Sequence, residues 1–239
     1  MSQSKPSRIL LKLSGEMLGG PKGNGFDTSA LELVAHEIAD VYRAEYEVAV
    51  VIGGGNIFRG SLATSIGMER AAADYMGMLA TCINGLALQG ILESQHQLPT
   101  RVLTAIHMPE LAEPYIRRKA IKHLGSKRVV IFAGGIGNPL FTTDTTAALR
   151  ALEVSCDIIL KATKVDGIYD SDPKLNPNAQ KYSKLSYLEV ISKELKVMDA
   201  TSITMCMEAN LPIKVFKLAE RGSVLRALQS PNIGTIVHK

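Results

Sequence analysis

Apolar residues run in short unbroken blocks along much of the chain. Arg8 to Leu13 (RILLKL), Glu47 to Ile52 (EVAVVI), Lys127 to Ala133 (KRVVIFA) and Asp157 to Lys161 (DIILK) lack the alternation of a half-solvated strand. They suit strands buried on both faces of a largely parallel sheet. Between these blocks the period lengthens. Leu31, Val34, Ala35, Ile38, Val41 and Tyr42 recur at helical spacing behind Asp27 or Thr28, either of which could cap. Arg70 to Leu92 and Thr143 to Leu152 read as helices, and Arg101 to Ala105 as a short strand. From Lys164 to Lys181 the chain turns polar, with Asp, Gly, Asn and Pro, and reads as a hairpin or long loop. A helix (Asp199 to Glu208), a strand (Ile213 to Phe216), a helix (Glu220 to Gln229) and a strand (Gly234 to Val237) follow. Strands alternating with helices predict a three-layer α/β/α sandwich around a mostly parallel central sheet.

Composition narrows this little. With 239 residues, 46% of them hydrophobic, the chain can bury one sizeable core, so a single domain over residues 1–239 is expected. Lys and Arg total 27 against 23 Asp and Glu, a net +4. That excess suits small anionic ligands; without a basic stripe or a helix-turn-helix it gives no ground for nucleic-acid binding. Cys82, Cys156 and Cys206 lie far apart, and the histidines show no ligand spacing, so no protein metal site is expected. Met1 to Ser7 is short and polar, without a signal-peptide core. No unbroken apolar run reaches the roughly 18 residues a membrane span needs. A soluble cytoplasmic enzyme is the expectation.

The residues just beyond the strands carry the candidate chemistry, because open α/β sheets bind ligands at the carboxyl ends of their strands. Lys12-Leu13-Ser14-Gly15, Gly53-Gly54-Gly55-Asn56 and Gly134-Gly135-Ile136-Gly137-Asn138-Pro139 each follow a predicted strand. Glycine lets consecutive backbone N–H groups approach a phosphate with no Cβ in the way. One such loop is often only a turn, but three at one sheet edge point to phosphate. Lys12 stands in an apolar strand end and Arg59 follows the triple glycine. Taken singly, the first could snorkel and the second could be a surface residue; together they suit a transferring phosphoryl group. No G-x-x-x-x-G-K-[ST], no H-R-D with D-F-G and no complete G-x-G-x-x-G occurs. P-loop kinases and protein kinases are therefore excluded, and the missing glycine fingerprint argues against a dinucleotide enzyme.

Six segments resemble the bacterial uridylate kinases of the amino acid kinase superfamily. They are KLSGE (Lys12–Glu16), GGGNIFRG (Gly53–Gly60), DYMGMLAT (Asp74–Thr81), GGIGNPLFTTDTTAALR (Gly134–Arg150), KATKVDGIYDSDP (Lys161–Pro173) and ELKVMD (Glu194–Asp199). The resemblance runs from about Arg8 to Val237. It implies ATP with Mg²⁺ as phosphate donor, UMP as acceptor, GTP and UTP as effectors and a homohexamer built from dimers. It also implies site residues. Lys12, Leu13, Ser14 and Gly15 would hold ATP phosphates, with Gly55 and Arg59 near the transfer point. Thr163, Tyr169 and Asp172 would line the ATP pocket. Gly54 and Asp74 would touch UMP, and the stretch Gly135, Ile136, Gly137, Asn138, Pro139, Leu140, Phe141 and Thr142 would wrap its base and phosphate. Asp144 sits where relatives that phosphorylate amino acids place an aspartate holding two lysines. Lys12 matches the first lysine. Aligned by eye, the second falls on Val197, so the remaining positive charge is expected from Arg59 or Lys164. Arg101 and Arg128 lie where relatives bind GTP between subunits; a surface salt bridge is the equal alternative for both.

Two other readings stay open. One is a kinase of another acceptor, such as an amino acid, a carbamate or isopentenyl phosphate, against which GIGNPLFTTD and Asp74 speak. The other is a nucleotide-binding regulator, for which the sequence supplies no DNA-reading element.

Overall fold

The computed structural model describes residues 7–60, 65–173 and 175–239; of the polar start Met1 to Ser7, only Ser7 lies within them. The elements in chain order are β1 (Arg8–Leu13), α1 (Thr28–Arg43), β2 (Glu47–Ile52), α2 (Arg70–His96), β3 (Thr100–Thr104), β4 (Glu113–Pro114), α3 (Arg117–Gly125), β5 (Val129–Ala133), α4 (Thr143–Glu153) and β6 (Ile158–Thr163). They continue with β7 (Ile168–Tyr169), β8 (Lys181–Tyr182), β9 (Lys184–Ser186), α5 (Tyr187–Ser192), α6 (Ala200–Ala209), β10 (Ile213–Lys217), α7 (Ser223–Gln229) and β11 (Thr235–His238).

Nine strands form one sheet in the order β4-β3-β5-β2-β1-β6-β10-β11-β9. Neighbours run parallel except where β11 lies antiparallel to β10. The period of two sorts each strand between two cores. Ile9, Leu11 and Leu13 face Val34, Ile38, Leu88, Leu92 and Val224 of α1, α2 and α7. Leu10 and Ile159 face the other layer, with Ala120, Ala147, Ala148 and Ile203 of α3, α4 and α6. The fold is the α/β/α sandwich with a mostly parallel sheet that the unbroken apolar runs predict.

Four elements escape the periodicity reading. Helix α3 (RRKAIKHLG) buries only Ala120, His123 and Leu124, too narrow a stripe to register amid its basic residues. Helix α5 is six residues long and is started by a capping box in which the Ser186 side chain accepts from the Glu189 N–H and the Glu189 carboxylate accepts from Ser186. Strands β4 and β9 are very short. The polar stretch from Lys164 does form a hairpin, β7 pairing antiparallel with β8. Asp27, of the two candidate caps, accepts from the Ala30 N–H at 2.9 Å. Helix α2 is long and apolar enough to cross a membrane by length and composition. Its inner face (Met78, Cys82, Leu88, Leu92) is buried in the protein.

One buried cation belongs to the scaffold. Lys214 of β10 is 5% exposed, and its ammonium donates to the Ser230 carbonyl at 2.6 Å. Burial lowers its pKa below the ordinary 10.5. The folded protein therefore binds this proton less tightly than the unfolded chain. Stability attached to this group is full above 10.5 and is lost as pH falls through the lowered value. Lys214→Met removes the linkage. The melting-temperature difference between wild type and variant should shift in favour of wild type as pH rises towards 10.5. A pH-independent difference would refute this.

Candidate functional site

The strand register builds the centre of the site. β1 and β6 are neighbours, and Lys12 lies directly opposite Lys161. Period two puts both side chains on the face of Leu10 and Ile159, beneath α4. That helix begins at Thr143 and carries Asp144 in its first turn. Asp144 Oδ1 lies 2.6 Å from Lys12 Nζ, and its Oδ2 2.8 Å from Lys161 Nζ. Lys161 also donates to the Val197 carbonyl at 2.5 Å. All three side chains are largely buried, at 9% exposure for Lys12, 15% for Lys161 and 16% for Asp144. Burial lowers the Lys161 pKa and the Lys12 charge lowers it further, against Asp144, which raises it. Two cations held side by side by one carboxylate leave a net positive charge at the sheet edge.

This differs from the expected source of the second charge. Arg59 and Lys164 do not reach Asp144; both pair with Glu16, at 3.4 and 3.2 Å. Arg59 also donates to the Gly55 and Gly23 carbonyls, each at 3.2 Å. Val197 contributes its backbone carbonyl, and the lysine comes from β6.

Asp199, in the same segment, is a further member that the sequence reading missed. It caps α6 by accepting from the Ser202 N–H at 2.8 Å. Its other oxygen accepts from the hydroxyls of Thr142 and Thr145, the latter at 2.8 Å. Burial raises its carboxyl, but the hydrogen bonds from Thr142, Ser202 and Thr145 outweigh this and hold it below the ordinary carboxylate value. It thereby ties the start of α4, and so Asp144, to α6. Its signal was an Asp at the end of ELKVMD, directly before a helical pattern.

The glycine loops close around this centre. A Cβ on Gly15 would stand 2.4 Å from the Gly53 carbonyl oxygen, and one on Gly54 would stand 2.6 Å from the Gly77 carbonyl oxygen. Only glycine permits either approach. Gly134 has φ +72° and donates its N–H to Thr81 at 2.8 Å. Leu140, in the left-handed region at φ +74°, donates its N–H to Asp74 at 2.8 Å.

Two cavities lie near this centre, one reaching Lys161 and the other the start of α4. One of about 610 Å³ is lined by Lys161, Thr163, Tyr169, Asp172 and the carbonyl-bearing turn through Val197. The Thr163 hydroxyl donates to the Val165 carbonyl, and the Tyr169 hydroxyl to Asp166 at 2.6 Å, so the ring and backbone are what face a ligand. The other cavity is lined by Gly54, Gly55, Asp74, Gly135, Phe141 and Thr142, with Thr143 beside Asp144. Ile136, Gly137, Asn138, Pro139 and Leu140 do not line it. Arg59 borders a third hollow, with Lys22, Asn24 and Asn56.

The amino acid kinase family matches residues 7–217. The chain belongs to that family. Among solved relatives, the UMP kinase of Bacillus anthracis is 42% identical, with a TM-score of 0.95 over 98% of this chain and 97% of that one. The UMP kinase of Ureaplasma parvum is 39% identical, with a TM-score of 0.92 over 99% of this chain and 100% of that one. The uridylate kinase of Archaeoglobus fulgidus is 25% identical, with a TM-score of 0.68 over 96% and 99%. In this chain the two lysines that meet Asp144 are Lys12 and Lys161.

At the far sheet edge Arg101 forms salt bridges, while Arg128 makes a hydrogen bond to a histidine. Arg101 pairs with Glu93 at 3.2 Å and with Glu113 at 3.5 Å. Arg128 donates to His123 Nδ1 at 3.1 Å, and His123 Nε2 lies 3.2 Å from Glu113. Because an arginine can only donate, His123 presents Nδ1 as acceptor and carries its proton on Nε2.

Proposed function

We propose that the chain is a uridylate kinase that moves the terminal phosphate of ATP onto UMP, giving ADP and UDP. The observation that carries this reading is the Lys12–Asp144–Lys161 bridge, with a cavity bordered by an aromatic hairpin reaching Lys161 and one bordered by glycines and Asp74 reaching the start of α4. The close likeness to UMP kinases supplies the acceptor. In this reading Lys12, Leu13, Ser14, Gly15, Gly55, Arg59, Thr163, Tyr169 and Asp172 serve ATP. Gly54, Asp74 and the segment from Gly135 to Thr142 serve UMP, Asp74 accepting from ribose hydroxyls.

A UMP phosphate oxygen is already a nucleophile, so the protein need not supply a base. Its work is positioning and offsetting charge. Lys12 and Lys161 stand where negative charge is shared between donor and acceptor oxygens. Asp144 keeps both ammonium groups at one point. The loop N–H groups take the equatorial oxygens. Among the described residues no group of three His, Cys, Asp or Glu could cage a metal. Mg²⁺ bound with the nucleotide would supply positive charge to offset that of the phosphates.

The reading extends to a single cytoplasmic domain acting in pyrimidine nucleotide synthesis, activated by GTP and inhibited by UTP, as a homohexamer. Tyr75, Met76, Leu79 and Ile83 support association, since they expose a helical stripe on α2, each more than 40% accessible.

ADP release measured with UMP, CMP, glutamate and aspartate tests the acceptor. UMP should be turned over at least about tenfold faster than CMP, the difference one good polar contact makes, and the amino acids not at all. Turnover of glutamate or aspartate without UMP would overturn the assignment.

A further inference from the structure

A buried pair of amides lies under the glycine loop and is used by none of the roles above. Asn84, midway along α2, is 0% exposed, and Asn56, at the end of the glycine loop, is 4% exposed. Asn84 Nδ2 donates to the Gly53 carbonyl at 2.7 Å and to Asn56 Oδ1 at 2.7 Å. Asn56 Nδ2 donates in return to Asn84 Oδ1 at 3.0 Å and to the Gly25 carbonyl at 2.8 Å. The Gly25 N–H donates to the Asn56 carbonyl at 2.8 Å. The amide orientations follow from chemistry: Gly53 and Gly25 offer only carbonyl oxygens, so each Nδ2 must face its own.

The Gly53 carbonyl sits at a seam. On one side it lies where a Cβ on Gly15 would stand, 2.4 Å away, in the loop that follows Lys12. On the other it leads into Gly54, which rests on the Gly77 carbonyl of α2. Turning the peptide after Gly53 would move the donor loop and the acceptor loop against each other. A leucine-sized apolar residue at position 84 could fill the space, but the Gly53 carbonyl would then be buried without a donor, at a cost of about 1–3 kcal/mol. Buried polar pairs of this kind fix one arrangement where apolar packing tolerates several.

We propose that Asn84 is a positioning residue for phosphoryl transfer, holding the Gly53 carbonyl so that the Lys12–Gly15 loop and the Gly53–Gly55 loop keep one fixed separation. This rests on the phosphoryl-transfer reading above. Asn84 touches neither substrate; it acts through the Gly53–Gly54 peptide.

Asn84→Asp and Asn84→Leu test it. The leucine variant has no donor at any pH. The aspartate variant is nearly isosteric, and its buried carboxyl titrates above the ordinary carboxylate range. When ionised it has no donor for the Gly53 carbonyl; when protonated it regains an O–H donor. A misplacement of about 1 Å costs about 10²-fold in turnover. Both variants should therefore lose about that much kcat near neutral pH, with KM for both nucleotides little changed. N84D alone should recover kcat as pH falls, in an ionisation absent from wild type and from N84L. Peptide-level hydrogen exchange, with no substrate present, should rise over residues 53–56 in N84L and stay unchanged over 213–217. An N84D profile that follows wild type at every pH would overturn the proposal, as would exchange that rises equally in both segments or is unchanged at 53–56. A wild-type protein inactive with UMP would sink the acceptor assignment, and the exchange measurement would still decide the role of Asn84.

Discussion

Lys161→Met lowers kcat by about 10²- to 10³-fold, the size of losing one preorganised charge that acts on the transition state. KM for ATP and UMP changes far less. Methionine keeps the unbranched volume and removes the charge, so the loss reports electrostatics and not packing. Asp144 is then left with Lys12 as its cation, and the Val197 carbonyl without its donor. Because Lys12 and Lys161 act through one carboxylate, the double variant Lys12→Met/Lys161→Met should fall well short of the product of the single losses. Lys164→Met is the contrasting measurement. That side chain is exposed and paired with Glu16, so its removal should cost less than about fivefold. Steady-state rates for wild type, the two single variants, the double variant and Lys164→Met decide the matter. Near-normal turnover in Lys161→Met, or a larger loss in Lys164→Met, would return the second charge to the loop after β6.

Glu37→Ala lowers the unfolding free energy by about 3 kcal/mol, through a helix end that cannot cap itself. Helix α7 starts behind Gly222, which has φ +82° and no side chain to offer. Glu37, on α1 and 1% exposed, supplies the missing acceptors. One oxygen accepts from the Gly222 N–H and the other from the Val224 N–H at 2.7 Å. Alanine leaves both donors buried without partners, at about 1–3 kcal/mol each, partly offset by releasing a desolvated carboxylate. Burial raises the Glu37 pKa, as expected for a carboxylate taken out of water. For a chain of this length the melting midpoint should fall by about 6–12 °C. Activity at low temperature should be retained, since α7 packs on the face opposite the lysine pair. A midpoint within about 2 °C of wild type would show that water replaces the carboxylate there.

The sequence by itself determined the layers. Unbroken apolar runs such as EVAVVI and RVVIFA allow no solvated face, so strands carrying them must lie between two sheets of helices, and they do. It also determined where chemistry could occur, because glycine after a strand end is a local feature. Gly15, Gly53, Gly54 and Gly134 all occupy positions that a Cβ would disturb. Lys12 was legible as a charged residue at the end of an apolar strand, and Asp144 through the resemblance of FTTDTTA to the family's motif. The tertiary structure alone decided which lysine joins them. Lys161 and Lys164 stand three apart in KATK, and nothing local separates them. The order of strands does: β6 lies against β1, Lys161 falls opposite Lys12, and Lys164 is carried past the strand end to Glu16. Long-range partners of this kind, with Asn84 under Gly53 and Glu37 capping α7, depend on which elements become neighbours. Period and spacing carry no information about that choice; only the simultaneous burial of all the apolar faces does.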